Sequence, residues 1–332
     1  MRKIANEPPT QGWQVTVPAT SANLGCAFDC AGLALRLYLR ASFVPSDASE
    51  LTVEYCGPHP ERVPLDGSNL VLESLRFAAA GMGAPQPGGH VVLQSDIPVG
   101  AGLGSSAAAV VAGLLLGASY SAGGGSPDGP PDTEKLIGWT QHMEGHFDNA
   151  AAALCGGLVF GWNDSGRIRT IKTAFPDRLK LVLVTPNAMV RTSEARRVLP
   201  QNYAQSDTLH NLQRAAMLAA SCFSGRFDFT PDMFDDRLHQ PYRRELVPGI
   251  SRCLKYRHPD LRGVALSGSG PSVIAIAEQN EKRIALDLQA IFAGEGLASE
   301  TTITSADNQG AVIAPRPAPS PQFADVARGA KL

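Results

Sequence analysis

The chain has 332 residues, a formal net charge of −2 and a hydrophobic content of 44%. This length allows two domains or one large domain, because domains commonly have about 150 residues. The nearly neutral charge gives no global attraction to nucleic acid or to an anionic membrane. No run approaches the ~18 apolar residues that a membrane-spanning helix needs. We therefore expect neither nucleic acid nor a membrane among the partners.

The six cysteines form no C-x-x-C pair, and no second pair of cysteines follows Cys26 and Cys30. This spacing argues against a zinc site. Scattered cysteines in a chain of this length favour reduced thiols and a cytoplasmic location. The N-terminal residues 1–13 lack the apolar region of a signal peptide, which agrees with that prediction.

The first half of the chain mixes predicted strands and helices. Pro18 is expected to end the first strand, a Ser cap to begin the first helix, and Gly145 to break the last one. The predicted strands are 13–20, 38–45, 51–56 and 89–98, then a hairpin of 157–162 and 167–171; the predicted helices are 68–83, 105–123 and 133–157.

The second half continues this mixture without strict β-α-β alternation, which favours an α+β fold. Its predicted strands are 179–186, a strand–turn–strand unit at 261–277 and an edge strand at 298–308; its predicted helices are 192–200, 206–225, most of 231–256, and 281–296. We expect one lobe at 1–165, a second at 166–315 and a proline-rich, disordered tail at 316–332.

The sequence PVGAGLGSSAA at 98–108 lies between a predicted strand and a predicted helix. Gly100, Gly102 and Gly104 would let backbone N–H groups approach a ligand, and the helix N-terminus would add its dipole. Together these features bind phosphate. Ser105 and the next serine would cap the helix or hold a phosphate-bound cation. A glycine turn before a tightly packed helix is the alternative interpretation.

Two familiar phosphate motifs do not fit this loop. A P-loop needs Lys where Ser105 stands, and the dinucleotide motif G-x-G-x-x-G needs Gly at the same place.

The run 98–108 instead resembles the P-x-x-x-G-L-G-S-S-A-A phosphate loop of the GHMP kinases, which include galactokinase, mevalonate kinase and homoserine kinase. Residues 17–35 resemble the N-terminal motif in its homoserine kinase form, and 263–276 resemble the C-terminal glycine motif that faces the triphosphate loop. The three motifs span most of the chain.

Residues 144–160, EGHFDNAAAALCGGLVF, resemble the homoserine kinase signature E-G-H-P-D-N-x-x-P-x-x-x-G-G. Asn149 stands where mevalonate kinase and galactokinase have an aspartate base. TSEARRVLP at 192–200 and HQPYRRELVPG at 239–249 resemble two further homoserine kinase stretches. Three departures are Ala27 for Gly, Phe147 for Pro and Gln240 for Glu, and Ala27 adds a methyl group near the substrate loop.

The resemblance implies a two-lobed GHMP kinase fold, with a ribosomal-S5-like N-terminal lobe and a ferredoxin-like C-terminal lobe. It implies ATP-dependent phosphorylation of the L-homoserine hydroxyl to O-phospho-L-homoserine in threonine biosynthesis, with Mg²⁺, and homodimers are common among such relatives. Another small-molecule GHMP kinase, such as a mevalonate or shikimate kinase, is the alternative enzyme. A non-catalytic metabolite sensor on the same fold is the alternative of another class.

The resemblance also assigns roles to individual residues. Arg196 and Arg243 would bind the substrate carboxylate, because a guanidinium fork matches it; Asp29, with Asn23 nearby, would bind the ammonium. Asn149 would hold the reacting hydroxyl. The alternative interpretations need no substrate: both arginines would be solvated helix residues, Asn23 would form a turn and Asn149 would cap a helix.

For the nucleotide, the resemblance assigns Ser106 and Glu144 to Mg²⁺, and it counts both with Asn149 as catalytic. Asn69 would line the adenine pocket; a place at the start of a helix is a nearly equal alternative for this residue. The alternative for Glu144 is an exposed carboxylate on a helix. His146 is expected to support the site and not to act as a base. The implied nucleotide-binding residues are Asn69, Pro98, Val99, Gly100, Ala101, Gly102, Leu103, Gly104, Ser105, Ser106, Ala107 and Ala108.

Overall fold

The computed structural model describes residues 12–122 and 132–316, whose strands form two sheets. Most of the predicted tail at 316–332 lies outside the described residues. Within those ranges, no helix has the length and apolar character needed to cross a membrane.

The first sheet has seven strands in the order β11-β1-β2-β4-β3, with β5 pairing β2 and β6 pairing β5. Its pairs are antiparallel except β3 with β4, which run parallel. The strands are β1 (Trp13–Ala22), β2 (Ala31–Pro45), β3 (Leu51–Cys56), β4 (Gly89–Ser95), β5 (Leu158–Asp164), β6 (Arg167–Thr173) and β11 (Val312–Pro315).

Strand β1 does not end at Pro18, so that prediction is wrong. The register with β2 shifts between Pro18 and Ala19, and pairing resumes as far as Ala22 opposite Gly32. An irregularity of this kind lets a strand pass a proline, which has no N–H to donate. The continuation carries Thr20 and Ala22 toward the second lobe.

Four helices accompany the first sheet: α1 (Leu70–Gly81), α2 (Ser105–Ser121), α3 (Thr133–Glu144) and α4 (Asp148–Cys155). Helix α2 is buried along most of its length. A Cβ at Gly113 or Gly117 would lie 2.3 Å from a carbonyl oxygen of α1, Val71 O or Leu75 O respectively. The small residues of α2 therefore allow close packing on α1. The predicted break at Gly145 is present between α3 and α4.

The second sheet has four antiparallel strands in the order β10-β7-β9-β8. In chain order within the lobe this is 4-1-3-2, the order of a ferredoxin-like sheet, and α9 packs against β7 and β10. The elements are β7 (Lys180–Pro186), α5 (Thr192–Arg197), α6 (Gln205–Phe223), α7 (Gln240–Arg243), α8 (Ile250–Leu254), β8 (Leu261–Leu266), β9 (Val273–Ala277), α9 (Glu281–Ala293) and β10 (Ser299–Thr304).

The lobe boundary predicted at 165 and 166 lies in the turn of the β5–β6 hairpin. Both strands of that hairpin belong to the first sheet, and the second sheet begins only at Lys180. Strand β11 then returns to the first sheet and pairs with β1. A boundary between 173 and 180, with a C-terminal return to the first lobe, describes the sheets better.

The segment 231–256 is less helical than predicted and is divided into short pieces. It contains a 3₁₀ turn at Pro231–Phe234 and the short helices α7 and α8. The carboxylate of Asp236 accepts the backbone N–H groups of Leu238 (3.0 Å), His239 (3.0 Å) and Gln240 (2.6 Å). A side chain that takes these donors replaces helical hydrogen bonds, and this favours a turn.

Candidate active site

The loop between β4 and α2 has the backbone shape that a phosphate site needs. Gly100, Gly102 and Gly104 have positive φ angles of 73°, 76° and 69°. Glycine adopts this region without strain, whereas other L-residues rarely do. The three glycines thus turn the chain sharply just before the N-terminus of α2.

The carbonyl groups of this loop bond to the protein, and its N–H groups do not. Ala101 O accepts Ser272 N (3.2 Å), Gly102 O accepts Ser267 Oγ (2.7 Å), and Leu103 O accepts Thr20 N (3.1 Å). Within the described residues, none of the N–H groups from 99 to 107 donates a hydrogen bond. Such a row of free donors at a helix N-terminus is suited to an anion.

Helix α2 has no side-chain cap. Its N-cap residue is Gly104, in the left-handed region, and neither serine after it caps the helix. The cap role that the sequence offered for Ser105 and Ser106 is therefore not seen. The side chains of Ala101, Leu103, Ala107 and Ala108 are buried, so these residues can offer only backbone groups to a ligand.

The second glycine motif packs directly against the phosphate loop. A Cβ at Gly102 would lie 2.4 Å from Ser267 O and 2.6 Å from Gly270 O. Gly268 N also donates to Ala22 O at the end of β1. The structure thus brings the three motifs predicted from residues 17–35, 98–108 and 263–276 together.

A cavity of about 290 Å³ lies between these motifs and the second lobe. Acidic, basic and amide side chains from both lobes share it with the phosphate loop. Of the predicted residues it is lined by Asn23, Asp29, Val99, Gly100, Gly102, Gly104, Ser105, Ser106, Asn149, Arg196 and Arg243.

Asp29 and Arg196 form a bidentate ion pair at this cavity. Arg196 Nη1 donates to Oδ2 (3.1 Å) and Nη2 donates to Oδ1 (3.0 Å). Burial alone would lower the pKa of Arg196. The hydrogen bonds that Arg196 donates to Asp29, together with the negative charge of Asp29, outweigh burial, so the pKa of Arg196 is above its usual value. The residues predicted for the two ends of the substrate therefore bind one another here.

Arg243 is buried, with its guanidinium over the Phe28 ring at 5.1 Å. Its Nε donates to Ala195 O (3.1 Å) and its Nη1 to Gly268 O (3.2 Å). Within the described part of the chain, its Nη2 has no hydrogen-bond partner. Burial lowers the pKa of Arg243 from its usual value. One nitrogen of the fork thus remains for a ligand, and the others position the arginine.

His239 contacts Arg243 and helps to position its guanidinium group. Its Nε2 lies 2.9 Å from Gly25 O, and its Nδ1 lies 3.3 Å from Arg243 Nη1. Since a carbonyl only accepts, Nε2 carries the proton and Nδ1 accepts from the arginine. Burial lowers the pKa of His239, which agrees with a neutral ring.

Asn23 holds the substrate loop through both ends of its amide. Its Oδ1 accepts Asp29 N (2.9 Å), and its Nδ2 donates to Gly268 O (3.0 Å). Its predicted turn role is therefore present, while its role toward a substrate stays a prediction. Ala27, the departure in this loop, has its methyl group in the core and not in the cavity.

Asn149 lies in the first turn of α4 and lines the cavity. Its backbone N and its Nδ2 both donate to Asp148 Oδ1, at 2.7 and 3.2 Å. Its Oδ1 accepts the hydroxyl of Thr20 at 2.8 Å. Asp148 is buried, and its Oδ1 also lies 3.4 Å from His146 Nδ1. Asn149 is thus held from two sides.

Glu144, at the end of α3, carries a buried Oε2 with no hydrogen-bond partner in the part of the chain that the structure describes. Burial raises the pKa of this carboxyl, and a hydrogen bond with Ser106 partly opposes the rise. A buried, unpaired carboxylate oxygen next to a hydroxyl suits a hard cation. The predicted alternative of an exposed helix carboxylate does not hold.

A second, more apolar cavity of about 130 Å³ adjoins the phosphate loop and shares Val99, Ser105 and Ser106 with the first. Asn69 lines it and also caps α1, since its Oδ1 accepts Val71 N (3.0 Å). The helix-entry interpretation of Asn69 is thus present, and a role toward adenine stays a prediction. The cap is Asn69, not the predicted serine.

Several residues at the site were not predicted. Thr20, buried in β1, contacts Asn149 across 129 positions of sequence, and residues 189–191 line the cavity just before α5. The only signals were that Thr20 lies within the motif at 17–35 and that 189–191 adjoin the motif at 192–200. Gly268 and Ser269 also line the cavity, within the recognised glycine motif.

The sequence profile of the GHMP kinases N terminal domain matches residues 69–157, and that of the GHMP kinases C terminal matches 212–294. A homoserine kinase of Solibacter usitatus is 35% identical over 302 residues, which cover 90% of this chain and 96% of that relative. The chain belongs to the homoserine kinases of the GHMP kinase family. A homoserine kinase of Streptomyces avermitilis is 36% identical over 91% of this chain and 95% of its own.

Solved structures support the GHMP kinase fold. Homoserine kinase from Cytophaga hutchinsonii has a TM-score of 0.79 at 24% identity, covering 95% of this chain and 100% of that one. Galactokinase from Lactococcus lactis, at 12% identity, has a TM-score of 0.61 over 91% of this chain and 95% of its own. The predicted two-lobed α+β fold is thus confirmed.

Proposed function

We propose that this GHMP kinase transfers the γ-phosphoryl group of ATP to the hydroxyl of L-homoserine, giving ADP and O-phospho-L-homoserine for threonine biosynthesis. The substrate is taken from the relatives named homoserine kinase. The observation that carries the proposal is the Asp29–Arg196 pair, which shares one cavity with the free N–H groups of the phosphate loop. A paired acid and base beside a phosphate site suit a small zwitterion.

The charged groups of the cavity match the two ends of this substrate. Asp29 would accept hydrogen bonds from the ammonium, and Arg196 would donate to the carboxylate. Each charge of the ion pair is thereby exchanged for a charge of the substrate, so neither is left unpaired. Arg243 would add a second cation to the carboxylate through its remaining nitrogen.

Phosphoryl transfer depends mainly on positioning and charge neutralisation. We propose that the phosphates of ATP bind the N–H groups from 99 to 107 and that adenine enters the apolar cavity beside Asn69. Asn149 would orient the acceptor hydroxyl. An amide does not accept a proton near neutral pH, so the hydroxyl proton would leave to phosphate or to water.

The residues present also fit a magnesium ion. The described residues contain no cluster of three or more His, Cys, Asp or Glu suited to a metal, so the protein would supply few ligands. Mg²⁺ accepts this arrangement, because it keeps waters and substrate phosphates as ligands. Glu144 and Ser106 would hold it. When bound, the ion would neutralise charge on the phosphates.

The alternatives make different use of the same cavity. A mevalonate kinase would need no site for an ammonium group, and Asn149 and the two arginines argue against it. A metabolite sensor would not need Glu144 or the serines. A coupled ADP-release assay with L-homoserine, L-serine, 4-hydroxybutyrate, mevalonate and shikimate decides between them. Turnover of mevalonate but not homoserine, or no turnover at all, would contradict the proposal.

Two further properties are proposed: a homodimer, from the resemblance, and a cytoplasmic location, from the scattered cysteines. Light scattering behind a sizing column tests the first, because the mass of one chain is 35.0 kDa. Fractionation of cells tests the second.

A further inference from the structure

Thr20 lies behind the cavity and does not line it. Its side chain is fully buried in β1, and its hydroxyl donates to Asn149 Oδ1 at 2.8 Å. Asn149 itself does line the cavity. Any effect of the Thr20 hydroxyl on a substrate must therefore be indirect, and Asn149 is the group that it bonds to.

The carboxylate of Asp148 determines which way the Asn149 amide points. Asp148 Oδ1 can only accept, and Nδ2 of Asn149 lies 3.2 Å from it. A flipped amide would place two oxygen atoms in contact there and lose a hydrogen bond. The amide oxygen Oδ1 then lies next to the hydroxyl of Thr20 and accepts a hydrogen bond from it.

These two contacts occupy half of the hydrogen-bonding capacity of the amide. Thr20 takes one of the two lone pairs of Oδ1, and Asp148 takes one of the two Nδ2 hydrogens. The second Nδ2 hydrogen has no partner in the part of the chain that the structure describes. The contacts fix which end of the amide is the nitrogen, and Asn149 keeps one N–H with which it can donate to a ligand.

We propose that Thr20 is a positioning residue that holds the Asn149 amide in the orientation from which its free Nδ2 hydrogen donates to the oxygen of the reacting hydroxyl. The inference rests on the proposed function. The substrate oxygen then forms the new P–O bond with the γ-phosphorus as the bond to the ADP oxygen breaks, and the hydroxyl proton leaves to a phosphate oxygen. Asn149 keeps its own protons throughout.

Thr20 also joins this amide to the phosphate loop. Its backbone N donates to Leu103 O at 3.1 Å. A Cβ on Gly104 would lie 2.0 Å from Thr20 Oγ1 and 3.3 Å from Asn149 Oδ1. One residue thus sets the place of the acceptor-orienting amide relative to the loop that would hold the donor phosphates.

A double-mutant cycle with Thr20→Val and Asn149→Ala tests this role, with Thr20→Ser as the conservative variant. Thr20→Val should lower kcat by about 10- to 100-fold and leave the KM for ATP within about threefold, because small misplacements of a reacting group are costly. Thr20→Ser should restore most of kcat. In the Asn149→Ala background, Thr20→Val should have almost no further effect.

A matched control is Thr140→Val, since the Thr140 hydroxyl is also buried but donates to Leu136 O within α3. It should alter thermal stability and not kcat. If Thr20→Val proves unstable, Thr20→Ala enters the same cycle. A kcat within twofold of the wild type in folded Thr20→Val or Thr20→Ala, or an equal loss in both backgrounds, would overturn the inference.

The proposed function can fail separately. If the wild type phosphorylates another alcohol and not L-homoserine, the substrate is wrong, and the cycle is then measured with the alcohol that is turned over. The hydrogen bonds among Thr20, Asn149 and Asp148 do not depend on the identity of that acceptor.

Discussion

Arg196 donates two hydrogen bonds to Asp29, across 167 positions of sequence, and so joins the substrate loop of the first lobe to α5 of the second. Both side chains are partly exposed, at 38% and 41%. A ligand can therefore reach the pair, and binding a zwitterion would replace one set of charged hydrogen bonds with another.

Asp29→Asn should raise the KM for L-homoserine by about 10- to 100-fold, because a charge-assisted hydrogen bond to the ammonium is lost. The advantage of L-homoserine over 4-hydroxybutyrate, which lacks the ammonium, should shrink in parallel. Steady-state kinetics on both acceptors measure this. Asp177→Asn, which weakens the exposed pair with Arg36, is the control and should change neither value. An unchanged preference between the two acceptors would remove Asp29 from ammonium binding.

Arg243→Lys should raise the KM for L-homoserine at least about tenfold and change the KM for ATP far less. A lysine cannot reproduce a planar fork, and here it would also lose the bonds to Ala195 O and Gly268 O. We therefore expect a lower melting temperature as well. Arg244→Lys, at the exposed neighbouring arginine, serves as the control. A change confined to the KM for ATP would assign Arg243 to the nucleotide.

Glu144→Gln should lower kcat more than it weakens homoserine binding, as should Ser106→Ala, because the metal acts chiefly on the transition state. Burial raises the pKa of Glu144, so its ionisation costs stability as pH rises above its ordinary value of 4.5. Glu144→Gln should therefore stabilise the metal-free protein at neutral pH.

Kinetics and thermal melts with EDTA measure both effects, with Glu54→Gln at an exposed carboxylate as the control. In the wild type, the Mg²⁺ requirement should increase as pH falls toward the raised pKa of Glu144. A loss of homoserine affinity with normal kcat would argue against a metal role.

Asn149→Ala should lose about 100-fold in kcat through lost positioning, whereas Asp148→Asn should lose less than about tenfold. Asn at position 148 keeps an Oδ1 that can accept from the Asn149 amide. The pH–rate profile of the wild type should show no acid limb assignable to Asp148. If Asp148→Asn abolishes turnover with both substrate affinities intact, and an acid limb disappears with it, Asp148 is a base.

Gly104→Ala should destabilise the protein by at least about 2 kcal/mol and abolish activity, since a Cβ would meet Thr20 Oγ1 at 2.0 Å on a backbone with φ of 69°. Gly138→Ala is the matched control. A Cβ at Gly138, inside α3, would meet nothing within 4 Å and should stabilise by roughly 0.5–1 kcal/mol. Chemical denaturation of both variants measures the contrast. Equal stabilities would show that the loop tolerates a side chain.

The sequence predicted the parts of the site that depend on short stretches of chain. The phosphate loop at 98–108 needs closely spaced glycines followed by a helix, and both can be read directly from the sequence. The partners across the lobes are not visible in this way. Nothing in the local sequence of Thr20 or Asn149 specifies that they meet, because their contact depends on how two distant segments pack.

Two errors in the fold have the same origin. The strand was expected to stop at Pro18 because proline has no N–H to donate. Its continuation depends on the pairing with β2, where Pro18 lies opposite Tyr38, and this pairing is not visible in the local sequence. The mostly helical segment expected at 231–256 is divided into short pieces, and near its first interruption the Asp236 carboxylate takes the N–H donors that a continuous helix would use. Local propensity was overridden in both places by a specific long-range or side-chain contact.

Strand β11 places the end of the described chain, Val312–Pro315, on the edge of β1, beside residues near its beginning. Ala311 N also donates to Ala153 O, and Gly157 N donates to Asp307 O. During synthesis, the first sheet therefore stays unfinished until the second lobe has left the ribosome. A nascent chain released before residue 312 would present β1 as an open strand edge, the kind of surface on which chains aggregate.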